Sequence, residues 1–265
     1  MIDMHTHILP GVDDGAEDWE QAEALARAAA AEGITDIIAT PHHEDGKFWN
    51  PHEEVLGHVQ QLNARLQEAG IAIRIHKGQE IRVHKELLAN LEKRELATLA
   101  GTSYLLLEMP SGEIPKQMGD LIYELNLMNL RPVIAHPERN AEVVRSPDKL
   151  QELIDIGAYG QVTTHSLLGG FGRGIEKAAW SLCRNGLIHL VSSDAHQLKW
   201  RGFRLKEAYE QISERMGDNQ AAYYRGNAAR LLRDEELLPA QPAADTAAGQ
   251  SGWGRLRGWL QRGGG

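Results

Sequence analysis

Seven short apolar runs alternate with longer helical patterns along this chain, and most of these runs close on, or just before, a histidine or a carboxylate. The runs are rich in β-branched residues and lie near Ile2–His5, Thr35–Thr40, Ile71–Gly78, Tyr104–Glu108, Val133–His136, Tyr159–Thr163 and Ile188–Ser192. Helical patterns fall between and after them, over Asp18–Ala31, Glu53–Ala69, Pro115–Asn129, Lys149–Ile156, Ile175–Arg184, Leu205–Met216 and Asn219–Arg230. Alanine dominates Glu23–Ala31, and Gly33, Gly70, Gly157 and Gly186 each punctuate a helix before the next strand. Strand–helix alternation on this scale predicts an α/β domain around a parallel sheet, closed into a barrel at this length, with an open doubly wound sheet as the alternative.

The repeating pattern spans residues 1–238. Beyond it, Pro239 to Gly252 is rich in Ala, Pro, Gln and Gly and reads as linker. The last segment, Trp253 to Arg262, carries arginines without acids and would place Leu256, Trp259 and Leu260 on one helical face. Residues 239–265 are read as a frayed tail, with contact to a membrane surface or a partner as the alternative. No apolar run approaches the roughly 20 residues that cross a bilayer. The single cysteine, Cys183, has no intramolecular partner for a disulfide. With no signal-peptide pattern at Met1-Ile-Asp-Met-His, the expected compartment is the cytoplasm. A net charge of −9 argues against sequence-independent binding of nucleic acid. It leaves an anionic substrate open, because bound cations reverse a local potential.

The chemistry concentrates at the predicted strand ends. Asp3-Met-His-Thr-His7 puts His5 and His7 on one side of a strand, with Asp3 in register to orient an imidazole. Thr40-Pro-His-His43 repeats the theme: Pro41 turns the chain out of the ladder and presents His42, while His43 is read as a neighbouring polar contact. Glu80 follows the third run, Glu108 closes the fourth, His136 the fifth, and Asp194 with His196 the last. Each residue alone fits a cap, a satisfied core histidine or a surface charge. Together they differ, because strand C-termini converge on one face of a parallel α/β fold, where active sites lie.

His5, His7, His42, Glu80, Glu108, His136, Asp194 and His196 exceed the needs of one tetrahedral zinc and suffice for two or three ions sharing a carboxylate. Imidazole mixed with carboxylate suits manganese, iron or zinc. Such a cluster activates water and holds a phosphate oxygen. Arg139, in His-Pro-Glu-Arg-Asn, and Arg201 are placed to clamp phosphate oxygens. A cysteine-dependent phosphatase loop is excluded, since His189 stands six positions after Cys183 where arginine is required. Gly169-Gly-Phe-Gly172 lacks nucleotide-loop spacing.

Asp-x-His-x-His, Thr-Pro-His-His, Glu80, His-Pro-Glu-Arg and Ser-Asp-x-His resemble the polymerase-and-histidinol-phosphatase (PHP) superfamily. Within it, Asp3–Gly15, Ala39–His43, Leu105–Pro110, Ala135–Asn140 and Ser166–Gly169 are similar to the bacterial manganese-dependent tyrosine phosphatases of capsule biosynthesis. The resemblance covers roughly Met1 to Leu238. It implies a distorted (β/α)7 TIM-like barrel of PHP type holding three divalent ions, manganese first, with iron or zinc as alternatives. It implies His5, His7, Asp14, His42, Glu80, Glu108, His136, Asp194 and His196 as ligands, and Arg139, Arg201, His136 and Asp194 as the residues carrying catalysis. The implied substrate is the phosphotyrosine tail of a bacterial tyrosine kinase of capsule or exopolysaccharide assembly; self-association into a homo-oligomer stays open. His165 departs from the small or amide residue the pattern leads one to expect. Two alternatives stand beside this: a small-molecule phosphatase acting on a substrate such as histidinol phosphate, and a catalytically silent PHP binding module.

Overall fold

The computed structural model describes residues 1–44 and 46–239. In chain order its elements are β1 (Ile2–Thr6), α1 (Trp19–Ala31), β2 (Asp36–Ala39), β3 (His42–His43), α2 (His52–Glu68), β4 (Arg74–Lys77), β5 (Glu80–Arg82), α3 (Leu87–Glu92) and β6 (Tyr104–Glu108). They continue with α4 (Met118–Leu127), β7 (Arg131–Ala135), α5 (Ala141–Arg145), α6 (Pro147–Asp155), β8 (Tyr159–Thr163), α7 (Thr164–Leu167), α8 (Arg173–Arg184), β9 (Leu190–Ser192), α9 (Leu205–Met216) and α10 (Asp218–Leu232). The predicted tail, from residue 240 onward, falls outside the described residues.

Every predicted strand is present, and beyond the predicted ends of the second and third a further short strand follows, β3 and β5. Pro41 has no N–H to give to a ladder, so β2 ends at Ala39 and pairing resumes as β3 at His42. Gly78 breaks the neighbouring strand at the same level. A side chain there would meet Ile38 Cγ2 at 2.8 Å, and β5 begins two residues later. The pieces sort into two parallel sheets, β1-β2-β4 and β3-β5-β6-β7-β8-β9. Across the other junction Thr6 forms an isolated parallel bridge with Ala195, and Asp194 N donates to His5 O at 2.9 Å. All paired strands run parallel, so their C-terminal ends open toward the same side.

Helices start where the side chains cap them. Asp18 accepts from Gln21 N and opens the alanine-rich α1, while Asn140 accepts from Glu142 N and Val143 N and opens α5. The main core lies between strands and helices. A second, smaller one collects Met4, Ile38, Tyr104, Leu106, Val133 and Leu190 from strands of both sheets and packs them on Ala228 and Leu231 of α10. Strand alternation carries this face onward: Glu108 stands two residues beyond Leu106, and Gln161 two beyond Tyr159. The same side of the strands is thus apolar near α10 and polar at the C-terminal ends.

Gly160 shows how tightly the strands deliver the polar end. A Cβ there would stand 2.3 Å from the Leu187 carbonyl oxygen, on the approach to β9. Gly160→Ala is expected to destabilise the protein by about 1–3 kcal/mol through overpacking, read as a lowered urea midpoint with unchanged slope.

Candidate metal centre

The strand ends bring His5, His7, Asp14, His42, Glu80, Glu108, His136, Asp194 and His196 together. Three overlapping groups offer ligand atoms all within 4.8 Å of one another: His7, Asp14, His42 and His196; His5, His7, Glu80 and Asp194; and His42, Glu80 and Glu108. His7, His42 and Glu80 each belong to two of them. His136 lies in none, but its Nε2 is 2.7 Å from Glu80 Oε1. His5, His7, Glu80, Asp194 and His196 are buried, and Asp14 is the most exposed member.

Hydrogen bonding fixes what the inner nitrogens present. Gln161 Nε2 donates to Val162 O, so Gln161 Oε1 is the acceptor for His5 Nδ1 at 3.0 Å. Asp13 likewise holds His7 Nδ1 at 2.6 Å. With both Nδ1 atoms donating, each neutral ring turns a bare Nε2 lone pair toward the other, 3.3 Å away. Glu80 Oε2 stands 3.2 Å from His5 Nε2, 3.3 Å from His7 Nε2 and 3.1 Å from His42 Nδ1. Asp194 Oδ1 is 3.3 Å from both inner nitrogens. Yet Glu80 Oε2, Glu108 Oε2, Asp194 Oδ1 and His42 Nδ1 are buried without a hydrogen-bond partner. Lone pairs converging with no proton aligned between them fit shared cations, and the all-nitrogen-and-oxygen donor set fits divalent ions.

The electrostatics point the same way. Burial works against charge on His5 and His7, but Glu80 and Asp194 around His5, and Asp13 beside His7, lift both toward the charged form. Burial pushes His136 and His196 the other way, each down to about 4, with Arg139 adding to the effect at His136 and His7 at His196. Burial, followed by repulsion from Glu80, pushes Glu108 up to about 7. The pocket thus draws in positive charge that its outer imidazoles do not supply.

A supporting layer fixes these groups. Asp13 also accepts from His42 N and Gly15 N. Gly15 itself cannot carry a side chain, because a Cβ would lie 1.9 Å from His7 O. Asp3 does not orient an imidazole as its spacing predicts; it accepts from the backbone N–H groups of Ser193 and His5, tying β1 to the end of β9. His43 turns away from the cluster and bonds the Asn50 backbone, as a polar contact. Gln161 and Asp13 are the supporting residues that the sequence pattern does not single out. Their signals are slight: an amide two residues past Tyr159 in a strand with no ligand at its end, and the first of two adjacent aspartates.

Residues 1–233 match the family model described as capsular polysaccharide synthesis, CpsB/CapC. The chain belongs to this family. It is 41% identical over 244 residues to the tyrosine-protein phosphatase YwqE of Bacillus subtilis, covering 91% of this chain and 96% of that one. It is 29% identical over 241 residues to the tyrosine-protein phosphatase CpsB of Streptococcus pneumoniae, covering 89% and 99%. Its structure superposes with a TM-score of 0.88, at 41% identity, on a crystal structure from work on YwqE and CpsB as metal-dependent tyrosine phosphatases, covering 92% of this chain and 100% of that chain. An organophosphorus hydrolase from Deinococcus radiodurans, at 16% identity and a TM-score of 0.53, covering 87% and 92%, shares the fold alone.

In this member of the CpsB/CapC family both predicted arginines reach the cluster. Arg139 Nη2 and Arg201 Nη2 each donate to Asp194 Oδ2 at 2.5 Å, and the Nε–H of both is buried without a partner. Arg139 follows His136, whose φ of 33° is left-handed, as is the φ of 56° at Asp194. Non-glycine residues in that region carry strain, which marks the two turns that place the arginines and Asp194. Glu138, wholly buried, accepts from Thr163 N and Oγ1 and so ties the Arg139 turn to the segment entering α7. His165 is buried, its Nδ1 without a partner, 5.8 Å from the Phe171 ring.

Glu108 gives this electrostatic picture a test. Its carboxyl titrates at about 7 in the fold instead of 4.5, so the folded state holds a proton that the unfolded chain has lost between those pH values. Native stability therefore falls as pH rises through that window, and the full cost remains above it. In metal-free protein held with chelator, Glu108→Gln is expected to be more stable than wild type at pH 8 by on the order of 1–3 kcal/mol. The advantage should vanish below pH 4.5, as read from urea denaturation at both pH values.

Proposed function

We propose that the chain is a metal-dependent phosphoric monoester hydrolase acting on protein phosphotyrosine, with the tail of a bacterial tyrosine kinase of capsule or exopolysaccharide assembly as its substrate. The observation that carries this reading is the facing pair of His5 and His7 Nε2 lone pairs, 3.3 Å apart and flanked by Glu80 and Asp194, beside two arginines whose Nε–H groups are buried and unpaired. On this reading the two sheets are the halves of a distorted (β/α)7 barrel of PHP type formed by residues 1–238. The site takes three divalent ions, manganese before iron or zinc, held by His5, His7, Asp14, His42, Glu80, Glu108, His136, Asp194 and His196. Bound there, such ions supply Lewis acidity toward a phosphoryl oxygen and lower the pKa of water at the cluster.

The chain's own residues do the rest. Arg139 and Arg201 turn five-donor guanidiniums toward one point from two different loops, which suits the equatorial oxygens of a phosphoryl group in in-line displacement. Asp194 holds both by its Oδ2 and so sets their spacing before a substrate arrives. Gln161 and Asp13 keep the inner imidazoles in one tautomer. A tyrosine phenolate leaves as the conjugate base of an acid with pKa about 10, so no strong general acid is required. Cys183 takes no part: it is buried, and burial pushes its thiol up to about 12.

Hydrolysis of a phosphotyrosine peptide should fall by about a thousandfold in Asp194→Ala or His136→Ala with the far-ultraviolet dichroism unchanged, the loss expected when charge-stabilising groups are removed. Arg139→Ala should mainly raise KM. Activity surviving either of the first two changes would contradict the assignment, and faster turnover of histidinol phosphate than of the peptide would move the substrate to a small molecule. A chain ending at Leu238 should hydrolyse para-nitrophenyl phosphate at the full-length rate, and loss of that activity would place the tail in the site.

A further inference from the structure

Gly169-Gly170-Phe171-Gly172 has a single side chain, and it lands beside the two arginines. The Phe171 ring centroid lies 5.3 Å from the Arg139 guanidinium carbon and 5.7 Å from that of Arg201. The loop is built to hold it there. Gly169 and Gly172 have φ of 75° and 92°, conformations that favour glycine. A Cβ on Gly170 would meet His165 Cδ2 at 2.9 Å. Gly170 N donates to His165 O at 2.8 Å and Gly172 N to Gly169 O at 3.0 Å, which closes the turn on both sides of the ring. The ring is only half-buried, so it is not there to fill the core.

We propose that Phe171 is a specificity-determining residue that packs against the aryl group of the substrate, favouring aryl over alkyl phosphate esters. This rests on the phosphatase reading above. A phosphoryl group held by both guanidiniums lies beside Phe171, within reach of an aryl group joined to phosphorus directly or through one oxygen. An aromatic ring attached there falls within the roughly 4.5–7 Å centroid range in which ring pairs attract. A short alkyl group reaches less of the ring face. The phosphate dianion also neutralises the guanidiniums whose charge otherwise occupies that face, so the ring becomes available for the ester group as the phosphate binds. Neither the metal ligands nor the arginines distinguish phenyl from alkyl, since all of them address phosphoryl oxygens.

Phenylphosphonate and methylphosphonate separate this contact from leaving-group chemistry, because neither is hydrolysed. Calorimetric Kd values for both would be measured on the full-length, metal-replete protein and on Phe171→Leu and Phe171→Ala. The wild type is expected to prefer phenylphosphonate, and both variants to lose about five- to tenfold of that preference, the equivalent of about 1 kcal/mol of ring contact. If both ligands weaken by the same factor, Phe171 only braces the arginines and the inference is overturned. Equal binding of the two ligands by the wild type would overturn it as well. A wild-type protein that fails to hydrolyse phosphotyrosine and binds neither phosphonate would instead remove the phosphatase reading itself.

Discussion

His5 Nε2 and His7 Nε2 face each other at 3.3 Å, each turned inward by a partner that claims its other nitrogen, and the carboxylates of Glu80 and Asp194 close in on both. In a buried place this is an unfavourable arrangement for neutral rings and a costly one for protonated rings. Positive charge between them relieves it. The fold around the pair is organised to keep it from relaxing: Gln161 from β8, Asp13 from the loop after β1, and Gly15 pressed against the His7 carbonyl. Arg139 and Arg201 bring further positive charge to the same place, each pairing with Asp194 Oδ2.

The strands serve this geometry by stopping early. Breaks at Pro41 and Gly78 let two neighbouring strands restart as β3 and β5, which puts His42 and Glu80 opposite each other in register instead of at ragged loop ends. On the other flank, left-handed turns at His136 and Asp194 send the chain back over the cluster, so that arginines three and seven residues further on point into it. Strain in these turns is tolerated because β7 is paired on both sides and β9, paired with β8, is buried along its whole length. The apolar face running from α10 through Tyr104 and Leu106 to Glu108 sets how deep the polar end lies.

Much of this was legible in the residues. The apolar runs located the strands because parallel strands are buried on both faces, and a histidine or carboxylate closing such a run has few structural reasons to be there. The exit from the ladder at Pro41 was legible, but the restarts were not: two-residue strands such as His42–His43 leave no periodicity to read, and α7 is a single turn of Thr, His, Ser and Leu without a helical preference. Asp3 shows the limit of alternation as a guide, since the register shift in β1 after Asp3 turns it to backbone partners across the sheet junction. Gln161 was hidden because a neutral amide in a strand looks like any interior polar residue until its partner is known. Phe171 was visible only as part of a glycine run, and its meaning depends on two arginines that the fold brings from distant loops.

Everything here turns on positive charge being held between the strand ends. Anomalous diffraction from crystals of protein purified without chelator or added metal, collected on both sides of the manganese, iron and zinc absorption edges, addresses that directly. More than one anomalous peak is expected, each within coordination distance of the grouped side chains, with at least one lying between His5, His7, Glu80 and Asp194. A map with no peak among those residues, from protein that still hydrolyses phosphotyrosine, would contradict that expectation.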